Sequence, residues 1–315
     1  MVKQSKIFNN FNISQKFKNS IILIGNFDGL HSGHQKLFQL AKKYKTKYKS
    51  KIGVVTFDPI PKMFFNRKIK NYRISNFNQK VVYLKKFGVD FIINKNFDKK
   101  FSKINCIDFI KDILSKKLNS KFIFVSNNFR FGNKREGDVL LLKKYENIFG
   151  YTLVKPTPLK KNKKIISSTI IRKLLEKGKL SKANKFLKRN WEIEGTVQKG
   201  RMMGQKIGFP TCNIDIQNYV IAKPGVYAVR VRINDKKKVF RGIANLGYRP
   251  TFNQKKILLE VNIFNFSRNL YNKKLSVEFL KFIRGEKKFK GISELKNQIK
   301  KDILKAKKIS SVKNI

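Results

Sequence analysis

The sequence predicts two domains, an N-terminal α/β domain built on a parallel sheet and a C-terminal antiparallel β-barrel that ends in a helix. In the first half, apolar runs alternate with helical patterns at the spacing of a parallel sheet. After Arg189-Asn190 the pattern changes to short alternating runs separated by Gly, Pro and Asn turns, which is typical of a small barrel or sandwich. A Lys-rich amphipathic segment at 292–306 predicts the final helix. The predicted domains are residues 1–187 and 188–315.

The predicted elements follow from hydrophobic periodicity. Strands of the first domain are expected in the apolar runs 21–25, 52–57, 91–93, 121–125 and 151–154. Helices are expected where apolar residues recur every three or four positions, at 34–48, 78–87, 107–118, 138–149, 168–176 and 181–187. Barrel strands are expected at 191–197, 225–234, 238–244, 257–266 and 275–282.

The charge of the chain is strongly positive, with 73 Lys and Arg against 19 Asp and Glu and a formal net charge of +54. Such a charge favours contact with nucleic-acid phosphates. The lysines are nevertheless spread along the entire chain, and neither a zinc finger nor an aromatic RNP1-like run accompanies them. We therefore expect nonspecific adhesion to nucleic acid but no specific nucleic-acid partner.

The sequence shows no membrane or secretory signal. No stretch approaches the ~20 apolar residues that span a bilayer, and the N-terminus lacks an apolar core followed by a cleavage site. Cys106 and Cys212 are isolated, so they predict neither a zinc site nor a disulfide framework. We expect a cytoplasmic protein without a membrane partner. The composition favours no particular oligomeric state.

The two histidines of the chain, His31 and His34, lie in the run Gly25-Asn-Phe-Asp-Gly-Leu-His-Ser-Gly-His34. This run joins a predicted strand to a predicted helix, where free backbone N–H groups and the helix dipole favour a phosphate. Two imidazoles beside such a site would neutralise charge on a phosphoryl group during its transfer. The alternative is a pair of surface histidines at the start of a helix.

Three further motifs come after predicted strands or at the start of a helix: Thr56-Phe-Asp-Pro59, Val125-Ser-Asn-Asn-Phe-Arg-Phe-Gly132 and Ser167-Ser-Thr-Ile-Ile-Arg172. The first two fall at the carboxyl edge of the sheet, where doubly wound folds bind ligands. The third places N–H donors at a helix start and a guanidinium one turn later, which suits a triphosphate. Each motif taken alone is equally compatible with a turn, an aromatic core segment or a capped helix.

Together these four motifs resemble the FAD synthetase domain of bacterial bifunctional riboflavin kinase/FAD synthetases, a Rossmann-like nucleotidyltransferase domain. The resemblance implies that His31, His34 and Arg172 are catalytic. It further implies that the ATP phosphates are bound by Gly25, Phe27, Asp28, His31, His34, Ser168, Thr169 and Arg172. A flavin or adenosine pocket would be lined by Asp58, Asn128 and Phe129. Ser126 and Ile60 depart from the family pattern at positions that concern the fit of the flavin.

The second domain carries a glycine-bearing loop that leads into Gly204-Gln-Lys-Ile-Gly-Phe-Pro-Thr-Cys-Asn213. The oxygens of its Thr and Asn suit a magnesium ion that bridges nucleotide phosphates. The absence of a Gly-x-x-x-x-Gly-Lys-[Ser/Thr] run excludes a P-loop ATPase. Glu260 is a carboxylate among apolar strand residues. It is either a solvent-facing strand residue or a base that deprotonates an attacking hydroxyl.

Residues 190–305 are similar to the riboflavin kinase barrel of the same family. The similarity implies that ATP and Mg²⁺ are bound by Gly200, Lys206, Thr211 and Asn213, with Thr211 and Asn213 at the metal. It implies that Glu260 is the catalytic base for the ribityl 5′-hydroxyl and that Glu260 and Arg284 bind the flavin. Gln205 and Asn262 depart from the family pattern, and Lys206 and Arg201 lie close enough in sequence to compensate for Gln205.

The resemblance as a whole implies an enzyme that makes FMN from riboflavin and ATP and then FAD from FMN and a second ATP, with Mg²⁺ as cofactor. Its substrates would be the small molecules riboflavin, FMN and ATP. The fused barrel distinguishes it from nucleotidyltransferases that act on phosphocholine, glycerol phosphate or phosphopantetheine. Two alternatives stay open: an enzyme with only one active module, and a basic nucleic-acid-binding protein whose enzyme motifs are relics.

Overall fold

A computed structural model describes residues 5–157, 159–161, 164–200, 202–234, 236–250 and 255–311. Contacts between Cα atoms divide the chain into two compact units. The first comprises Met1–Lys70 with Phe77–Ser167, and the second comprises Asn71–Asn76 with Ser168–Ile315. No helix in the described ranges combines the length and apolar character needed to cross a membrane.

The first unit is built on a six-stranded sheet in the order β1-β4-β3-β2-β5-β6, in which every neighbouring pair is parallel. Its strands are β1 (Lys6–Phe8), β2 (Ile21–Ile24), β3 (Ile52–Asp58), β4 (Phe91–Asn96), β5 (Phe122–Phe124) and β6 (Thr152–Val154). Its helices are α1 (Ser32–Tyr48), α2 (Pro61–Phe65), α3 (Phe77–Lys86), α4 (Lys99–Ser102), α5 (Cys106–Asp108), which continues as a π-helix over Phe109–Lys117, and α6 (Val139–Lys144). A short hairpin follows, formed by β7 (Lys160–Lys161) and β8 (Lys164–Ile165).

The β2 strand shows why the sheet is parallel and covered on both faces. All four of its side chains are buried, and successive residues contribute to different cores. Ile22 and Ile24 belong to one hydrophobic cluster, whereas Ile21 and Leu23 belong to the other. A strand that is covered on both faces needs a continuous apolar run instead of an alternating one. The predicted parallel α/β domain is confirmed.

The second unit is a closed antiparallel barrel with strand order β10-β13-β12-β11-β14-β9. Its strands are β9 (Trp191–Gln198), β10 (Cys212–Asp215), β11 (Gly225–Ile233), β12 (Val239–Pro250), β13 (Lys255–Ile263) and β14 (Lys274–Arg284). Its helices are α7 (Ser168–Glu176), α8 (Leu180–Leu187), α9 (Met203–Lys206) and α10 (Ile292–Ser311). The predicted barrel with a terminal helix is confirmed.

Aromatic side chains from three strands pack against one another in the barrel interior. Trp191, Tyr227 and Phe279 are each at most 1% exposed. The Phe279 ring lies 4.7 Å from the Trp191 ring and 5.0 Å from the Tyr227 ring, measured between centroids. Each of these large side chains removes a large apolar area from water and so stabilises the barrel.

Besides the short elements α2, α4, α9 and the β7–β8 hairpin, three features of the fold are absent from the sequence prediction. The first is β1, which is too short to show periodicity and pairs with β4 at the edge of the sheet. The second is β10, which lies inside the glycine-rich motif. The third is the segment Asn71–Asn76, which joins the second unit: the amides of Tyr72 and Arg73 donate to the Asn218 carbonyl, both at 2.8 Å.

Two predicted helices end five residues away from their predicted ends. The helix predicted at 138–149 ends at Lys144. The Glu146 carboxylate beyond it accepts a hydrogen bond from the Leu153 amide at 2.7 Å, which directs the chain into β6. The terminal helix extends to Ser311 instead of residue 306. By contacts, α7 and α8 belong to the barrel unit, and the predicted boundary at 187/188 stays a prediction.

We predict that Gly53→Ala destabilises the sheet. Gly53 lies on β3, and a Cβ atom there would stand 2.2 Å from Cζ of Phe91 on the neighbouring strand. Overpacking of this kind costs about 1–3 kcal/mol. Urea unfolding followed by circular dichroism measures the loss. Phe91→Leu in the same chain should recover part of it, whereas Gly291→Ala, whose Cβ meets no atom within 4 Å, should have little effect. An unchanged midpoint for Gly53→Ala would contradict the prediction.

Candidate active sites

The histidine pair lies at the turn between β2 and α1. His31 is the residue before the first turn of α1, and its Nδ1 accepts a hydrogen bond from the His34 amide at 3.4 Å. The two rings stack with their centroids 3.7 Å apart. His31 is only 5% exposed, so the pair is part of the packed turn. This geometry argues against two freely solvated surface histidines.

The residues around the pair shape the turn. Phe27 has a positive φ of 46°, and its ring packs edge-on against the His34 ring at 5.3 Å. A Cβ atom on Gly33 would stand 3.1 Å from the His31 ring, so glycine permits the close approach. A Cβ atom on Gly25 would lie 3.2 Å from the Phe27 ring. Asp28 is 2% exposed. The structure therefore brings the N-terminal part of the predicted phosphate site together in one turn.

A buried cation next to this turn was missed by the sequence analysis. Lys80 on α3 is 2% exposed, and its Nζ donates to Oγ1 of Thr56 at 3.0 Å. Burial lowers the pKa of His34 well below 6.5, and the nearby His31 and Lys80 lower it further. The sequence signal for Lys80 was its spacing of four residues from the buried Leu84, which places it on the face of α3 that should be apolar.

The predicted flavin or adenosine pocket residues lie at the end of β3 and after β5. Asp58 is the last residue of β3. Asn128 is exposed, and its Oδ1 accepts a hydrogen bond from the Ser126 hydroxyl at 3.0 Å. Ser126, a departure from the family pattern, therefore orients Asn128. The Phe129 ring stacks on the Phe131 ring at 5.5 Å. Ile60, the other departure, is 3% exposed and belongs to the core.

Ser168, Thr169 and Arg172 lie on α7, in the second unit. Ser168 and Thr169 are the first residues of the helix. Arg172 is 7% exposed, and its Nε donates to the Tyr72 carbonyl at 2.7 Å. Its guanidinium lies 3.6 Å from the centre of the Tyr72 ring. The segment Asn71–Asn76 therefore fixes the side chain of Arg172.

Strand register aligns three polar residues on the outer face of the barrel. Glu260 on β13 pairs with Asn213 on β10 and with Asn245 on β12, so the three side chains lie in one row. Asn213 is 7% exposed, and its Oδ1 has no hydrogen-bond partner in the described part of the chain. Gly200 allows the row to form, because a Cβ atom there would stand 1.7 Å from Nδ2 of Asn213.

A cavity of about 410 Å³ opens beside this row. It lies between the barrel wall, the loop around α9 and the terminal helix α10. Its polar lining includes Thr211, Glu260 and Arg284, and its apolar lining includes Phe209 and Phe289. Glu260 also faces a smaller space of about 80 Å³. A cavity of this size with few polar groups suits a drug-sized ligand.

The other kinase residues singled out in the sequence lie on α9, on β13 or outside the described residues. Lys206 and Gln205 are both exposed on α9. Arg201 lies outside the described residues. Asn262, a departure from the family pattern, donates from Nδ2 to the Pro210 carbonyl at 2.7 Å and so ties β13 to the loop that precedes Thr211.

Comparison with known proteins gives concordant matches. A family model described as FAD synthetase matches residues 13–170, and one described as riboflavin kinase matches residues 187–310. A bifunctional riboflavin kinase/FMN adenylyltransferase from Buchnera aphidicola subsp. Schizaphis graminum is 41% identical over 302 residues, 94% of this chain and 96% of that protein. The protein of the same name from Escherichia coli K12 is 36% identical over 297 residues, 94% of this chain and 95% of that protein. A crystal structure described as a macrolide-efflux protein from Streptococcus pneumoniae has a TM-score of 0.84 and 29% identity, covering 96% of this chain and 99% of that one.

We predict that His34 makes the protein less stable in mild acid. Because the folded-state pKa of His34 is lowered, the unfolded chain takes up the proton first as the pH falls below about 6.5. The free energy of unfolding should then decrease by up to ~1.4 kcal/mol per pH unit from this residue. Urea unfolding between about pH 7.5 and pH 5 measures the slope, which should be shallower in His34→Gln. Equal slopes for both proteins would contradict the prediction.

Proposed function

Because this chain belongs to the family of bifunctional riboflavin kinases/FMN adenylyltransferases, we propose that its two reactions use two separate sets of residues. The chain phosphorylates riboflavin with ATP to give FMN and ADP. It also transfers the AMP part of a second ATP to FMN, which gives FAD and pyrophosphate. The first reaction is assigned to the barrel cavity and the second to the histidine turn. The predicted cytoplasmic location belongs to the same proposal.

The observation that carries the kinase assignment is the row of Asn213, Glu260 and Asn245 beside the cavity. Glu260 is positioned by two neighbouring strands and lines the cavity, so its carboxylate is placed to accept a proton there. In the proposed mechanism it takes the proton of the ribityl 5′-hydroxyl while that oxygen attacks the γ-phosphate of ATP. No covalent enzyme intermediate is needed.

Magnesium fits the residues at the start of β10. The Oδ1 atom of Asn213 is buried, and no hydrogen bond to it occurs within the described ranges. Thr211 supplies a hydroxyl two residues earlier and lines the cavity. Amide and hydroxyl oxygens are hard ligands of the kind that Mg²⁺ accepts, and Mg²⁺ takes its other ligands from phosphates and water. When bound, the ion would neutralise phosphate charge. Gly200 and Lys206 would contact the nucleotide beside it.

In the adenylyltransferase reaction, the FMN phosphate attacks the α-phosphate of ATP. His34 is neutral near pH 7 in the free protein, because its pKa is lowered by burial, His31 and Lys80. A bound triphosphate would favour the protonated imidazole, so positive charge would develop where the anion lies. Arg172 would add a fixed positive charge.

The other predicted ligands complete this proposal. The triphosphate would also contact Gly25, Phe27 and Asp28 of the histidine turn. The start of α7 would offer its backbone N–H groups at Ser168 and Thr169. Asp58, Asn128 and Phe129 would face the flavin or the adenosine.

The first test is to incubate the purified chain with riboflavin, ATP and Mg²⁺ and to separate the flavins over time. FMN should appear first and FAD after it. Glu260→Gln should lower FMN formation by about 10²–10⁴-fold and leave FAD formation from supplied FMN unchanged. FMN formation at the wild-type rate in this variant would refute the assigned base.

His31→Ala should give the opposite result. FMN should still accumulate from riboflavin, whereas FAD formation should stop, because the stacked pair at the start of α1 is broken. Flavin chromatography on the same samples measures both steps. Loss of both steps in a folded protein would contradict the assignment of two separate sets of residues.

Gly200→Ala should reduce kinase activity by displacing Asn213, since the new Cβ atom would overlap Nδ2. We expect riboflavin phosphorylation to fall by at least tenfold (~1.4 kcal/mol) and FAD formation from FMN to stay unchanged. Gly291→Ala is the matched control. A normal kinase rate in Gly200→Ala would show that Asn213 need not occupy its observed position.

A further inference from the structure

Asp302 on the terminal helix is a buried carboxylate in the wall of the barrel cavity. It is 1% exposed. One of its oxygens accepts a hydrogen bond from Nε of Arg284 at 2.7 Å, and the other accepts from Nε2 of Gln298 at 2.9 Å. A buried ion pair often contributes no more stability than apolar side chains of similar volume. The presence of this pair is therefore weak evidence for a role in stability.

Arg284 is held on several sides at once. Besides the bond to Asp302, its Nη1 donates to the Gly285 carbonyl at 2.9 Å, and its guanidinium lies 5.7 Å from the centre of the Phe289 ring. Across the described ranges, no hydrogen bond is made by Nη2. Arg284 and Phe289 both line the cavity. The guanidinium is thus fixed in orientation with donor capacity remaining.

Arg284 and Glu260 belong to the same row of the barrel face. Arg284 pairs with Val226, Val226 pairs with Asn245, and Asn245 pairs with Glu260. Three strand spacings separate their backbones, roughly 14 Å, and both side chains line the cavity. In riboflavin the reacting 5′-hydroxyl ends the ribityl chain, which leaves the central ring of the ring system, and the pyrimidine carbonyl groups lie along one side of that ring system. A flavin whose 5′-hydroxyl is at Glu260 would therefore have its ring system towards Arg284.

We propose that Asp302 and Gln298 are positioning residues, which hold Arg284 so that its remaining N–H groups donate to the pyrimidine carbonyl oxygens of the flavin. This inference rests on the proposed function of the cavity as the riboflavin site. A guanidinium is a rigid planar donor that suits carbonyl oxygens. The adenine of ATP carries no carbonyl group, so this contact would select the flavin and not the nucleotide.

The test is steady-state kinetics of Asp302→Asn, which removes the charge and keeps the shape. The KM for riboflavin should rise about tenfold, whereas kcat, the KM for ATP and FAD formation from FMN should stay within about twofold. Arg284→Met should raise the riboflavin KM at least as much. Adding Asp302→Asn to Arg284→Met should then cause no further rise, because Asp302 acts through Arg284. An unchanged riboflavin KM in Asp302→Asn, or additive effects in the double variant, would overturn the proposal.

Glu294→Gln is the matched control for attachment of the helix. Glu294 accepts hydrogen bonds from the Lys290 amide at 3.0 Å and from Nζ of Lys287 at 3.2 Å, near the start of the same helix. Loss of the Glu294 carboxylate should leave the riboflavin KM unchanged. If the riboflavin KM of Glu294→Gln rose as much as that of Asp302→Asn, loosening of the helix would explain both increases, and the proposal would be overturned.

Arg284→Met/Asp302→Leu covers the case in which Asp302→Asn unfolds. It removes both charges and keeps apolar packing. A raised riboflavin KM in this folded variant supports the contact of Arg284 with the flavin, on which the positioning role depends, and a wild-type KM overturns the proposal. Glu260→Gln distinguishes failure of the proposed kinase site from failure of the positioning role of Asp302. Undiminished FMN formation in Glu260→Gln refutes the kinase site itself. Loss of FMN formation in Glu260→Gln, combined with a normal riboflavin KM in Asp302→Asn, refutes only the positioning role.

Discussion

Strand register is the constraint on which both candidate sites depend. In the barrel, the ladders joining β10, β13 and β12 place Asn213, Glu260 and Asn245 opposite one another. A shift of β13 by one residue would turn Glu260 towards the interior, where Leu259 now packs, and would break the row. In the parallel sheet, the end of β2 sets where the chain turns into α1 and therefore where the histidine pair stacks.

The strongly basic chain keeps several of its few carboxylates in buried or half-buried ion pairs. Asp302 pairs with Arg284, and Glu192 and Glu278 both pair with Arg232. Burial raises the pKa of Glu192, and Arg232 opposes that rise. Removing one member of such a pair would leave an uncompensated charge in the interior. Glu260 is the carboxylate in the row beside the cavity, which is why it serves as the proposed base.

The amino-acid sequence alone determined the fold class of both halves and the segments from which the sites are built. The apolar run Ile21–Ile24 predicts a fully buried strand because both faces of a parallel sheet are covered. The glycines and histidines that follow predict a strand-to-helix turn, and the structure has it. Glu260 was recognisable because a carboxylate among apolar strand residues breaks the local pattern. These features are encoded over a few consecutive residues.

Only the tertiary structure decided which distant residues meet. The contact of Arg172 with Tyr72 spans 100 positions, and that of Arg284 with Asp302 joins a strand to the last helix. The spacing of Lys80 from Leu84 signals its burial, but only the packing of α3 places it beside the histidine turn. Local propensity fixes backbone conformation, whereas the partners of a polar side chain depend on chain elements brought together by burial of the apolar cores.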